Sequence, residues 1–219
     1  MRAGLHYVAF NIGASTLFLL ALGLLYGLLG TLNMAEMAAR VAEVPAGDLA
    51  LVEAAAGLLL VVFCAKAALL PMYLWLPQTY TQAPAAVAAL FAIMTKVGAY
   101  SILRLYVLAF GPDAGASSLL AAQWLLPAAM LTLALGMIGV LAARSLSQLA
   151  SFAVIGSMGT LLIAVGLFTA QATAAALYYM LHSTLAVAAL FLIAEPLAGH
   201  VVEPLVYGRS TGLSPVERP

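Results

Sequence analysis

Six apolar stretches, each long enough to cross a lipid bilayer, constrain this chain more than any other feature. A membrane-spanning helix needs roughly 20 consecutive apolar residues. Stretches of that kind recur along the sequence with only short polar interruptions. The sequence therefore predicts an all-α polytopic membrane protein with about six transmembrane helices. The predicted spans are Tyr7–Leu29, Leu49–Leu70, Pro84–Phe110, Ser118–Ala143, Leu149–Phe168 and Thr173–Ile193.

The composition supports this class and excludes several functions. Of the 219 residues, 65% are hydrophobic and 7% charged, whereas soluble domains carry about 25% charged residues. The formal net charge is zero, so nothing indicates a nucleic-acid partner. The single cysteine, Cys64, excludes an internal disulfide. No nucleophile motif, phosphate-binding loop or metal-ligand spacing occurs, so we expect no cofactor.

The chain divides into a transmembrane helical domain at 1–198 and a tail at 199–219. The tail is rich in Gly and Pro and is predicted to be flexible. Between the first two spans, the segment Met34–Val44 has its apolar residues on one face, which predicts an interfacial helix capped by Asn33. With the N-terminus in the cytoplasm, four arginines fall inside and two outside, which favours that orientation.

A hairpin formed by the second and third spans contains the only lysines of the chain, Lys66 and Lys96. Its loop is centred near Gln78, which places both lysines in the middle third of a bilayer. Pro71 and Pro77 lie between the lysines and disrupt regular helical hydrogen bonding. We therefore predict a broken helix whose second half runs from Met72 to about Tyr80.

The two lysines suggest a proton relay. A lysine at the bilayer centre is unfavourable by roughly 2.5–3.5 kcal/mol on insertion scales, and ionisable groups at that depth mark ion or proton pathways. Burial and mutual repulsion make it easier for such an amine to lose its proton. The alternative is structural: each lysine could be tied to a carboxylate or to carbonyls freed at the Pro71 break. We favour the relay.

His182 lies in the middle of the sixth span and is a further candidate for the relay, because histidine titrates near neutral pH. Tyr178 lies one turn earlier, and Ser183 and Thr184 follow directly. Ser157 is one of several hydroxyl residues in the fifth span. These four residues could extend the relay or pack the helices by hydrogen bonds, and the histidine itself could be a core residue that bridges helices. The glycine pairs Gly136/Gly139 and Gly156/Gly159 indicate close helix packing, since no strand precedes them.

At the hairpin the sequence resembles a known family. The stretch AKAALLPMYLWLPQTYTQAPAAVAALFAIMTKVGAYSILRLY is similar to the signature of the antiporter-like membrane subunits shared by respiratory complex I and Mrp-type cation/proton antiporters. The stretches GTLNMAE and LYYMLHSTLAVAALFL are most similar to the D-type subunit of the Mrp (Pha, Mnh) antiporter. The resemblance covers about Arg2–Glu195.

The resemblance implies that the six spans correspond to the sixth to eleventh helices of a fold with about fourteen. It also implies that Lys66, Lys96 and His182 belong to a polar axis that moves protons. Many relatives have a lysine where Val187 stands and a histidine where Ser157 stands. The family's glutamate partner for the Lys66 position would precede Met1. We therefore expect this chain to be part of a longer protein or a truncated relative.

Three functions follow as expectations. The first is a proton-translocating subunit of a multisubunit Na⁺ or K⁺/H⁺ antiporter in the bacterial inner membrane, with sister subunits, lipid, protons and one of these cations as partners. The second is the proton-pumping membrane subunit of an NADH:quinone oxidoreductase (complex I) or a membrane-bound hydrogenase. The third is a remnant that packs against sister subunits without transporting. We favour the first, and the sequence does not decide which cation is exchanged.

Overall fold

The part of the chain that the structure describes is built of eight α-helices. The computed structural model describes residues 2–111, 114–118 and 120–210, with the backbone alone at 2, 3, 6, 195, 196 and 198–210. Six helical segments are long and apolar enough to cross a membrane, and they coincide with the six predicted spans. The helices are α1 (Arg2–Leu29), α2 (Met34–Ala42), α3 (Leu49–Lys66), α4 (Trp75–Gln82), α5 (Ala85–Leu108), α6 (Ala122–Ala142), α7 (Leu146–Gly166) and α8 (Ala170–Ser210).

The short helix α2 is amphipathic, as the sequence predicted for Met34–Val44. Its side chains Met37 and Val41 are buried against the bundle. The Asn33 side chain accepts a hydrogen bond from the Ala35 N–H at 3.1 Å, which confirms the predicted cap. The helix therefore packs against the end of the bundle, where it contacts α1, α5 and the 3₁₀ turn at Gly115–Ser117.

The second span is broken, as predicted, and the break begins at the end of α3. Ala68 has φ +53°, in the left-handed region. This turn lets the Leu69 N–H donate to the Cys64 carbonyl at 2.9 Å and the Ala68 N–H donate to the Ala65 carbonyl at 3.3 Å. Both bonds satisfy carbonyls at a helix C-terminus in the manner of a Schellman cap. Helix α3 thus ends at Lys66, slightly before the predicted end of the span at Leu70.

The two prolines of the hairpin have different roles. Pro71 follows the cap of α3 and precedes a 3₁₀ turn at Met72–Leu74. Pro77 lies in the first turn of α4, where backbone N–H groups have no acceptor within the helix. A proline is tolerated there. The predicted break is therefore confirmed at Pro71, whereas Pro77 interrupts no helix.

An aromatic cluster holds the half-helix α4 in place. The Trp75 ring lies 5.6 Å from that of Tyr7 on α1, and the Tyr80 ring lies 5.9 Å from both Phe91 on α5 and Phe191 on α8. Tyr80 is fully buried and its hydroxyl donates to the Phe91 carbonyl at 2.6 Å. Aromatic pairs at these distances stabilise packing beyond the area that they bury. The second half of the broken helix is therefore fixed by three spanning helices.

Helices α6 and α7 pack backbone to backbone. A Cβ on Gly136 would lie 2.5 Å from the Gly156 nitrogen, and one on Gly159 would lie 2.5 Å from the Leu133 nitrogen. Small residues let helices approach in this way inside a membrane. The prediction that these glycines serve helix packing is confirmed.

Helix α8 extends beyond the predicted end of the sixth span. It continues to Ser210, so that residues 199–210 of the predicted flexible tail are helical. Apolar residues at 201, 202, 205 and 206 recur there at helical spacing. Residues 211–219 lie outside the described part of the chain. The division into a membrane domain and a flexible tail stays a prediction.

Candidate functional site

Lys66 is the last residue of α3 and lies at the break. Its side chain is half-buried, and the ammonium nitrogen donates a hydrogen bond to the Asn11 amide oxygen on α1. The Asn11 amide nitrogen in turn donates to the Tyr7 carbonyl, one turn earlier, at 3.0 Å. Lys66 was predicted to lack a carboxylate partner, and the structure gives it a neutral amide instead.

Lys96 lies near the middle of α5 and is almost fully enclosed, with 3% of its surface exposed. Its nitrogen donates to the Ser157 hydroxyl on α7 at 2.7 Å. That hydroxyl donates to the Val154 carbonyl at 2.8 Å. The Lys96 nitrogen also lies 5.9 Å from the centroid of the Tyr179 ring on α8, within the range of a cation–π contact. The prediction that this lysine faces the bundle is confirmed.

The two lysines flank the contact between α3 and α5. A Cβ on Gly98 would lie 2.9 Å from the Ala67 nitrogen and 3.1 Å from the Lys66 Cβ. Gly98 is close to the middle of the 24-residue helix α5, so Lys66 is at the depth of the centre of a spanning helix. Lys66 is directed to α1 and Lys96 to α7 and α8. They lie at similar depth with separate partners.

Polar groups released at the break are satisfied by side chains from two elements. The Trp75 indole N–H donates to the Ala65 carbonyl at 3.1 Å. The Leu70 N–H donates to the buried Thr132 hydroxyl on α6 at 2.9 Å. Non-helical backbone is tolerated at membrane depth only where protein or a water-filled cavity surrounds it. The protein meets that condition here with its own donors and acceptors.

The structure does not bring His182 to the lysines. Both His182 and Tyr178 are on the exposed face of α8, where 77% of Tyr178 is exposed. A relay through His182 would require this side chain to face the interior of the bundle, whereas the buried face of α8 carries Ser183 and Val187 instead. Their assignment to a proton relay stays a prediction. Within the described helices neither side chain is hydrogen-bonded to Lys66 or Lys96.

The neighbouring hydroxyls of α8 bond to their own helix. The Ser183 hydroxyl is directed to the Met180 carbonyl at 3.4 Å, and the Thr184 hydroxyl donates to the same carbonyl at 2.6 Å. Such bonds satisfy hydroxyls within a helix. Of the four hydroxyl residues that the sequence singled out, Ser157 alone has a described hydrogen bond to a lysine.

Sequence reasoning missed Asn11, Thr132 and Tyr179. Asn11 carried a signal: it is an amide within an otherwise apolar stretch, and polar residues in spans usually face protein. Thr132 and Tyr179 carried no signal, since threonine and tyrosine are common in spanning helices. All three gain their importance from contacts with residues distant in the sequence.

The chemistry that this arrangement permits follows from its neutral partners. An amine donates hydrogen bonds whether or not it is protonated; an amide oxygen only accepts, and a serine hydroxyl both accepts and donates. The ion pair found among the described residues, Arg40 with Glu36, involves α2 rather than the lysines. No group of three or more His, Cys, Asp or Glu side chains able to hold a metal occurs in the described ranges. The described site thus consists of two amines, each hydrogen-bonded to a neutral partner on another helix.

Six helices long and apolar enough to cross a bilayer, with a break between α3 and α4 and two lysines within the spans, define a multi-pass membrane protein. Residues 1–205 match the model of one family, described as NADH:quinone oxidoreductase/Mrp antiporter, transmembrane. The chain belongs to that family.

Curated relatives are similar over most of the chain. It is 47% identical over 195 residues to the D-type subunit of a probable K⁺/H⁺ antiporter of Rhizobium meliloti (strain 1021), covering 89% of this chain and 36% of the relative. It is 38% identical over 198 residues to the D-type subunit of the Na⁺/H⁺ antiporter of Bacillus subtilis (strain 168), covering 90% and 39%. The chain therefore spans well under half the length of these relatives.

Two solved structures share the fold. The Mrp complex from Dietzia sp. DQ12-45-1b matches with a TM-score of 0.75 and 29% identity, over 87% of this chain and 34% of the matched chain. The membrane-bound sulfane sulfur reductase, an archaeal respiratory membrane complex, matches with a TM-score of 0.82 and 24% identity, over 90% and 39%. The second likeness shows the fold alone.

Proposed function

We propose that this chain forms the proton-translocating region of a subunit of a multisubunit monovalent cation/proton antiporter, in which Lys66 and Lys96 carry the protons. The observation that carries the proposal is Lys96, a nearly enclosed lysine at mid-helix that donates to a serine hydroxyl. The similarity to antiporter subunits of the D type supports the same function. The subunit would reside in a bacterial plasma membrane and assemble with other subunits.

The geometry suggests how each lysine would act. An ammonium shielded from water is costly without a counter-ion, whereas an ion pair would hold the proton in place. Lys96 has an uncharged acceptor in Ser157 and a ring in Tyr179. It can therefore release a proton without leaving a buried carboxylate unpaired. We infer that neutral partners keep both states of the lysine accessible.

The exchanged cation is proposed only as Na⁺ or K⁺. The two relatives described above are named for different cations, K⁺ in one and Na⁺ in the other. Neither lysine is suited to bind a metal cation while it is protonated, because like charges repel. The cation would accordingly be bound elsewhere in the assembled antiporter.

The test is substitution of each lysine in the complete subunit within its assembled antiporter. We expect Lys66→Ala and Lys96→Ala to reduce antiport to the level of vesicles without the antiporter, while assembly persists because alanine removes an unpaired buried amine. Lys→Arg should not restore activity, since arginine stays protonated. The measurement is the response of a pH-sensitive dye in everted vesicles on addition of Na⁺ or K⁺.

Ser101→Ala provides a matched control on α5. The Ser101 hydroxyl donates to the Val97 carbonyl of its own helix at 2.9 Å, so its loss should leave antiport unchanged. His182→Ala should have a milder effect than either lysine variant, because His182 contacts neither lysine. Normal antiport by Lys96→Ala at matched expression would contradict the proposed function.

A further inference from the structure

We propose that Trp75 is a positioning residue for Lys66: its indole N–H holds the last turn of α3 and so fixes the backbone from which the lysine side chain extends. This inference rests on the proposed function. Its basis is the hydrogen bond from the Trp75 indole nitrogen to the Ala65 carbonyl at 3.1 Å, which joins α4 to α3 across the break. It concerns the backbone that carries Lys66, and it holds whichever groups of the complete subunit face the amine.

The Ala65 carbonyl depends on the indole because its other described donor is distant. In the cap of α3 the Cys64 carbonyl receives the Leu69 N–H at 2.9 Å, whereas the Ala65 carbonyl receives the Ala68 N–H at 3.3 Å. Backbone hydrogen bonds of about 2.9–3.0 Å are typical, and longer ones are weaker. The last carbonyls of a helix have no partner within it, and an unsatisfied one is costly away from water. The Trp75 indole therefore completes the termination of α3.

The peptide group that the indole holds leads directly into Lys66. The Ala65 oxygen belongs to the planar unit that also contains the Lys66 nitrogen and Cα. Holding this oxygen therefore restricts the orientation of the Lys66 backbone. The side chain extends from there to α1, where its nitrogen donates to the Asn11 amide oxygen. Because a lysine has a flexible four-carbon stem, the anchored end of the stem limits where the amine can be placed.

The Trp75 ring is held in turn by aromatic residues. Its centroid lies 5.6 Å from that of Tyr7 and 6.0 Å from that of Phe10, both on α1. Tyr80 of α4 meets it edge-on at 6.1 Å. Aromatic pairs at such distances stabilise packing. One side chain thus connects the helix that carries Lys66 with the helix to which this lysine is directed, and an indole held in this way is a preorganised donor.

A role of Trp75 in packing alone makes a different prediction. Phenylalanine in its place retains an aromatic ring between α1 and α4 but has no N–H donor. If only packing mattered, Trp75→Phe would leave the Lys66 amine in its place. If the hydrogen bond positions the lysine, the surroundings of the Lys66 nitrogen change although an aromatic ring remains.

The experiment compares Trp75→Phe with the wild type in the complete subunit of the assembled antiporter, with lysine isotopically labelled at its side-chain nitrogen for NMR. The Lys66 resonance is the one missing from Lys66→Ala, and the Lys96 resonance is the one missing from Lys96→Ala. We expect Trp75→Phe to shift the Lys66 resonance. The Lys96 resonance should not move, because Lys96 has its own partner in Ser157 on α7.

Antiport by the same variant is measured in everted vesicles with the dye assay, at matched assembly. We expect the rate to fall by about 3- to 10-fold, the change to which the loss of one hydrogen bond corresponds. If Trp75→Phe does not assemble, an analogue of tryptophan with sulfur in place of the indole N–H is incorporated at this position. The analogue keeps the shape of the ring and removes only the donor.

Trp124→Phe is the matched control, since Trp124 is the other tryptophan of the chain. It lies on α6, is 72% exposed, and is not hydrogen-bonded to any described residue through its indole. This variant should keep both the wild-type Lys66 resonance and the wild-type rate of antiport.

The outcomes separate this inference from the proposed function. If Lys66→Ala retains antiport, the proposed function is wrong, whereas a shifted Lys66 resonance in Trp75→Phe would still show that the indole places the lysine. If Lys66→Ala abolishes antiport and Trp75→Phe leaves either the Lys66 resonance or the rate of antiport unchanged, the role of Trp75 is overturned.

Discussion

Among single residues, Arg40 and Gly30 lie against each other at the C-terminal end of α1. The Arg40 guanidinium donates to the Leu29 carbonyl at the end of α1 and to the Glu36 carboxylate. Gly30 has φ +69°, and a Cβ there would lie 2.9 Å from the Arg40 nitrogen. The left-handed backbone at Gly30 favours glycine, and a side chain there would also require the Arg40 guanidinium to move.

The pKa of the exposed Glu36 carboxyl is lowered, first by a hydrogen bond from the Thr31 hydroxyl and then by the bond from Arg40. A lowered pKa in the folded state favours folding above the ordinary carboxyl value, and the contribution is lost as the pH falls through the lowered pKa. Acid should thus weaken the attachment of α2 before it affects the buried spans.

Gly30→Ala should destabilise the protein by about 1–2 kcal/mol, because a left-handed conformation is unfavourable for alanine and its methyl group displaces Arg40. Gly27→Ala is the control: it lies within α1 and a Cβ there meets nothing within 4 Å. That change should be neutral or stabilise by up to about 1 kcal/mol. Thermal unfolding of the purified protein in detergent provides the comparison. Equal melting temperatures for the two variants would show that Arg40 does not depend on Gly30.

The lysines could be predicted from sequence at this scale because their chemistry is conspicuous in an apolar span. Their partners could not. Asn11 is distant in sequence from Lys66, and it is an amide where ion-pair reasoning looks for a carboxylate. Ser157 was one of several hydroxyls in α7, and only three-dimensional packing distinguishes it from Ser151, whose partner on another helix is the Thr81 hydroxyl rather than a lysine.

At the scale of whole helices, the hydrophobic pattern predicted where the spans lie but not which face of each helix is buried. The positions of the spans followed from the length of apolar sequence that a bilayer requires. The face that each helix buries could not be predicted in the same way, because a helix such as α8 is nearly equally apolar on all sides. The sequence therefore could not show that His182 and Tyr178 lie on the exposed face of α8. The glycines of α6 and α7 were interpreted correctly, since close packing in a membrane selects small residues.

Gly159→Ala should separate α6 from α7. The new methyl carbon would lie 2.5 Å from the Leu133 nitrogen, and backbone cannot give way as a flexible side chain can. Overpacking of this kind typically destabilises by about 1–3 kcal/mol. Gly166→Ala is the control on the same helix, because its nearest neighbours would lie 3.5 Å away, in ordinary contact.

The readout for this pair is the resistance of the detergent-solubilised protein to heat, with the amount of folded protein in membranes as a second measure. We expect a lower melting temperature for Gly159→Ala and a value near that of the wild type for Gly166→Ala. Tolerance of alanine at Gly159 would mean that the two helices do not approach as closely as the structure places them.

For the whole molecule, the distribution of arginines predicts which end of each helix faces the cytoplasm. With a cytoplasmic N-terminus, the loop after α2 lies outside and the turn after α6 lies inside. Single cysteines at Ala46 and Ala142, both exposed, introduced into a Cys64→Ala background, test this orientation. In intact cells an impermeant maleimide should label Ala46→Cys and should label Ala142→Cys only after permeabilisation. The reverse pattern would invert the topology.

The break in the second span has an electrostatic consequence for the molecule as a whole. Aligned peptide dipoles place about half a negative charge at the C-terminus of a helix. A helix that crosses the membrane without interruption presents that charge to water. Helix α3 ends at Lys66, beside the middle of α5, where salt screens weakly and the local dielectric constant is low. The break thus places a negative potential at mid-membrane beside the Lys66 amine, and a change of pH cannot remove the backbone dipoles that produce it.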